Sequence, residues 1–128
     1  MTITEIAPII VFIAFLAYVF NALREGQVGG WCVPAAVSAA FFVWTAVTVV
    51  QEGPFGFWAN HTQDLWGNQV WFDLFFAVAI GWALILPRAR AQGMRLVPWL
   101  LAIVATGCIG LLAMVARLFY LEDCSAKA

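Results

Sequence analysis

The sequence predicts an all-α integral membrane protein, an up-down four-transmembrane-helix bundle with a short interfacial helix or loop between helices 2 and 3. Two observations carry this. Four apolar runs, at about residues 6–23, 31–51, 70–86 and 96–121, fill most of the 128 residues. Each is close to the roughly 20 residues that cross a hydrocarbon core about 30 Å thick. Hydrophobic residues make up 65% of the chain and charged residues 10%. A soluble domain is nearer about half apolar and a quarter charged, so too few polar side chains exist to coat a water-soluble globule. No linker or internal repeat divides the chain, so residues 1–128 read as a single transmembrane domain.

The first run has no basic leader, because the segment before it carries Glu5 and no Lys or Arg. It therefore reads as a retained helix rather than a secretory signal. Gly26, Gly29 and Gly30 break the chain behind it. The second helix closes at Gly53-Pro54. Pro87 is expected to end the third helix, and Gly93 marks the turn into a fourth that is read as continuous. Short connections make successive helices antiparallel neighbours.

Arg24 follows the first helix, and Arg88, Arg90 and Arg95 lie between the third and fourth. The loop at 52–69 has neither Lys nor Arg. Loops rich in Lys and Arg stay cytoplasmic, which places loops 1 and 3 inside and both termini outside. Arg117 and Lys127 run against that assignment.

Small residues four apart allow close backbone approach, the main source of helix association in lipid. Such rows are Ala35/Ala39 and Ala36/Ala40 on helix 2, Ala77/Gly81 on helix 3, and Ala102/Thr106/Gly110 on helix 4. They suit packing within the bundle or an oligomer seam. The net charge of −1 and the lack of a basic stretch argue against nucleic acid. Cys32, Cys108 and Cys124 are expected at different depths, as three free thiols.

Few side chains offer chemistry. Asp73, about one turn inside helix 3, is a carboxylate at membrane depth and a functional candidate. Arg117 is expected at a similar depth on the antiparallel helix 4, so the two are expected to form an intramembrane ion pair. The loop between helices 2 and 3 mixes aromatic and polar residues: Phe57, Trp58, Asn60, His61, Asp64, Trp66 and Trp71. Such a mixture suits an interfacial aromatic belt or a surface for a ligand or partner.

His61 is the one histidine, and no second ligand lies at metal spacing, so no metal site is expected. Asn60-His61-Thr62 fits a glycosylation acceptor pattern. No nucleophilic triad, HExxH or phosphate loop occurs. General acid–base work needs positioned titratable groups, and no catalytic residue is assigned.

From Phe57 onward the chain resembles a group of short bacterial multi-pass membrane proteins, domain-of-unknown-function family 2834. The features that carry this are Phe57-Trp-Ala-Asn, Trp71-Phe-Asp-Leu, Arg88-Ala-Arg-Ala-Gln-Gly-Met, Trp99, and Gly107 with Arg117-Leu-Phe-Tyr-Leu-Glu. Helix 1 is an addition to the pattern expected of that group. The resemblance implies a bacterial inner-membrane protein and brings no activity with it.

Size and the lack of a catalytic set favour a protein that binds: an accessory or assembly subunit of a larger energy-transducing membrane complex. Its expected partners are the lipid bilayer and a membrane protein or further copies of itself. Two alternatives stand beside this, a small homo-oligomeric transporter and a lipid-, isoprenoid- or pigment-binding protein. No cofactor is assigned, although the aromatic loop would suit contact with a pigment, quinone or heme.

Overall fold

The computed structural model describes residues 2–26 and 29–127, and among these the regular structure is helical throughout. The elements are α1 (Ile3–Glu25), α2 (Cys32–Glu52), α3 (Gly56–Thr62), α4 (Leu65–Ala91), α5 (Leu96–Thr106) and α6 (Cys108–Ala126). Three of them, α1, α2 and α4, are long and apolar enough to cross a membrane. A membrane location fits them. Locally, α1 begins with a reciprocal cap between Thr2 and Glu5, which satisfies backbone N–H groups at the first turn. Asp64 caps α4 by accepting a hydrogen bond from the Gly67 N–H at 2.7 Å.

The closing apolar run departs from expectation. Residues 96–121 do not make one continuous helix. The chain breaks at Gly107, which adopts φ +60° and ψ −125°, a conformation open to glycine and strained for any residue with a Cβ. The chain then reverses. A Cβ at Gly110 would lie 2.8 Å from the backbone of Ala102, so α6 returns along α5 at a separation that only glycine allows. Thr106 holds the tip: its Oγ donates to the Ala102 carbonyl at 2.7 Å and accepts from the Gly110 N–H at 3.0 Å. With 11 residues, α5 rises about 16 Å, well short of a bilayer core of about 30 Å. α5 and α6 form a helical hairpin.

Contacts along the hairpin fix the remaining directions. The Gly107 position lies beside Leu74, and the Gly81 position meets Leu111. Arg88 forms an ion pair with Glu122 at 2.6 Å. Ser125 Oγ donates to Gln92 Oε1 at 3.1 Å. α4 and α6 are therefore parallel. Trp31 packs edge-on against Tyr120, with ring centroids 5.7 Å apart, and Ser38 Oγ donates to the Ile109 carbonyl at 3.0 Å. α2 is antiparallel to both.

The core is small and centred on α6. Ile85, Ala89, Ile103, Met114 and Leu118 are buried together, with Trp82, Leu96 and Trp99 packed around them. α2 and α4 each pack on α6 and make no extensive contact with each other. α1 buries no side chain. In place of the expected four-helix bundle stand α2, α4 and the α5–α6 hairpin, with α1 apart from the core.

Three further expectations change. Pro87 lies within α4, and the helix runs on until Gln92, next to the contacts with Glu122 and Ser125. The C-terminal end of α6 lies beside Arg88 and Gln92, so the C-terminus shares an end with loop 3 instead of lying opposite it. That end holds Arg88, Arg90, Arg95 and Lys127, four of the six Lys and Arg of the chain, and Arg117 lies about midway along α6. Cys32 and Cys124 also share this end, both exposed, and the three cysteines are free thiols.

Candidate functional site

At the opposite end, α3 folds onto the start of α4. A Cβ at Gly67 would lie 2.9 Å from the backbone of His61, so the glycine sets how closely the two helices meet. Asn68 Nδ2 spans the junction, donating to the carbonyls of Asp64 at 3.1 Å and His61 at 3.4 Å. Asn60 Nδ2 reaches Glu52 Oε2 at 3.5 Å, which ties α3 back to the end of α2.

Trp71 is the centre of this end. Its ring stacks on Phe75 one turn later, with centroids 5.0 Å apart and planes at 22°. Phe57, Trp58 and His61 meet it edge-on at 5.7, 6.4 and 6.1 Å. Offset and edge-to-face pairs of this kind suit the ring quadrupoles. The Trp71 indole N–H is buried without a hydrogen-bond partner. Leaving such a donor unmet costs about 1–3 kcal/mol. His61 Nδ1 lies 2.7 Å from the Phe57 carbonyl. A carbonyl only accepts, so Nδ1–H is the donor in this contact.

Below this roof lies a half-open cavity of about 1050 Å³ between α2 and α4. The α5–α6 hairpin lines a further side of it through Leu100, Ile103, Thr106 and Gly107. α2 turns Phe41, Thr45, Thr48 and Glu52 towards it, and α4 turns Trp71, Leu74, Val78 and Trp82. Both sets follow the spacing of a single helix face. Thr48 Oγ is occupied by the Trp44 carbonyl at 3.0 Å. The lining is mainly apolar and contains no Lys or Arg; Glu52 is the carboxylate in it.

Of the residues picked out by sequence, Phe57, His61 and Trp71 line the cavity. Trp58 touches Trp71, Asn60 serves as a tie to Glu52, and Asp64 is the helix cap. Trp66 is exposed. The Asp73–Arg117 pair does not form. Asp73 Oδ1 accepts from Gln69 Nε2 at 3.5 Å, and the Arg117 guanidinium lies 5.5 Å from the centre of the Tyr120 ring. Leu74 is level with Gly107, and Arg117 lies ten residues further along α6, or about 15 Å. The reversal at Gly107 separates them.

Among the packing candidates, Gly81 and Gly110 sit at helix contacts, and Thr106 caps the hairpin tip. Ala36, Ala40 and Ala77 are exposed. The α2 face that meets α6 is the neighbouring row, Ala35, Ser38 and Ala39. The sequence reading missed the cavity face of α2 and the place of Phe75. Their period, Phe41/Thr45/Thr48/Glu52 and Trp71/Phe75/Val78/Trp82, was the available signal.

No family model, curated protein or solved structure matches the chain.

Proposed function

We propose that the protein acts by binding, and that it holds an elongated apolar molecule of the lipid, isoprenoid or pigment class. The observation that carries this is the cavity of about 1050 Å³ between α2 and α4. Ligand sites are typically apolar hollows of about 300–1,000 Å³ with a few placed polar groups, and this one has Trp71, His61 and Glu52 at its roof. The test is solvent extraction of protein purified in mild detergent, with bound molecules counted per chain. Ala79 lines the cavity, and Ala79→Trp puts an indole into it. About one apolar molecule per chain is expected for the wild type, with a severalfold loss in the variant. Equal amounts in both contradict the reading.

A second reading, the accessory or assembly subunit of a membrane complex, is supported by α1, an apolar helix that buries none of its described residues. The two are compatible, since a subunit can carry a bound lipid-like molecule. Asp73 is absent from the cavity lining, so nothing favours a transport path built on it. A bacterial inner membrane follows from the resemblance noted above. The gathering of cationic residues at one end supports a cytoplasmic side for that end, with the aromatic roof on the other face and the C-terminus cytoplasmic.

A further inference from the structure

We infer that the cavity ligand is an uncharged quinone-type molecule, with a planar head bearing carbonyl oxygens on an apolar tail, and that Trp71 donates a hydrogen bond to one of those oxygens. The inference rests on the proposed binding cavity and names its ligand class.

Three observations converge on it. The Trp71 N–H is a buried donor with no partner in the protein, in a residue that lines the cavity. A buried donor calls for an acceptor, and a carbonyl oxygen is the acceptor an otherwise apolar molecule most readily carries. Aromatic side chains crowd the same point: Phe57, Trp58, His61 and Phe75 surround Trp71. They favour a flat conjugated head over a glycerol backbone.

Charge completes the case against a phospholipid. The lining has no Lys or Arg to meet a phosphate, and Glu52 would repel one. Arg88, Arg90, Arg95 and Lys127 lie at the far end of the molecule. Below the roof, the space between α2 and α4 accommodates the tail.

The test uses the full-length protein in nanodiscs and two probes, decylubiquinone and decylbenzene, which share a tail and differ in the carbonyl-bearing head. Binding is read by equilibrium partition against protein-free nanodiscs. Decylubiquinone is expected to bind the wild type more tightly than decylbenzene. Trp71→Phe keeps a ring and removes the N–H. It is expected to weaken decylubiquinone by about five- to tenfold, the effect of one lost hydrogen bond, and to leave decylbenzene unchanged.

The comparison of the two probes on the wild type does not depend on how the variant folds. Equal affinity for both probes, or a variant that weakens both alike, overturns the quinone assignment while leaving an apolar cavity in place. Failure of both probes to bind overturns the cavity reading as well. A phospholipid that displaces decylubiquinone at equal concentration overturns the choice of an uncharged ligand.

Discussion

Gly110 and Gly67 each stand where a methyl group has no room. At Gly110 the obstacle is the backbone at Ala102 and Ile103, 2.8 Å from a Cβ. Backbone does not rotate aside as a side-chain tip does. Gly110→Ala is expected to cost about 1–3 kcal/mol, as overpacking does, and to lower the thermal unfolding temperature in detergent. Gly30→Ala is the control, because nothing lies within 4 Å of its Cβ position. Equal stability in both variants contradicts the close approach of α5 and α6. The Arg88–Glu122 pair is a different kind of contact. Its side chains are 51% and 30% exposed, so it contributes at most about 1 kcal/mol. It marks the parallel register of α4 and α6 more than it stabilises them. Trp71 carries the most information of any one residue, because its N–H is buried and unmet.

Among the elements, the hairpin decides most. An apolar run of 26 residues has the length and composition of a spanning helix, and composition does not distinguish one crossing from two shorter helices folded together. The turn depends on one residue at positive φ, Gly107, and on clearance at Gly110. Glycines inside an apolar run carry no such message, since glycine is common in membrane helices. By contrast, α1, α2 and α4 were legible within a few residues, apart from five residues at each end of α4. Its early start follows from the Asp64 cap and its late end from continuation through Pro87. The hairpin has a direct consequence for native thiols. Cys32 and Cys124 lie at the same end and are exposed. In oriented vesicles of a Cys108→Ser variant, an impermeant maleimide is expected to label both from one side and neither from the other. Labelling of the two from opposite sides would restore a closing helix that crosses the membrane.

At the scale of the whole molecule, the α5–α6 hairpin explains both the asymmetry and the cavity. Because α6 turns back, the cationic residues gather at one end and the aromatic roof stands at the other. Because α5 stops short, the upper part of the space between α2 and α4 is unfilled by helix, and the hairpin lines the rest of it through Leu100, Ile103, Thr106 and Gly107. The aromatic half of the site was legible: Phe57, Trp58, His61 and Trp71 were singled out by residue type and do converge. The ion pair was not, because pairing Asp73 with Arg117 assumed that the closing helix crosses in full. The cavity itself was hidden, since a face of Phe, Thr and Val on a membrane helix is equally suited to face lipid.

The most direct test of the central claim, that an apolar molecule sits between α2 and α4, is photo-crosslinking with an uncharged quinone whose tail carries a diazirine, followed by peptide mapping. The expected result is label on the faces with Phe41, Thr45, Val78 and Trp82, removed by excess decylubiquinone. Label spread over the outward row of Ala36, Ala40 and Ala77 and over α1, and unmoved by competitor, would contradict it.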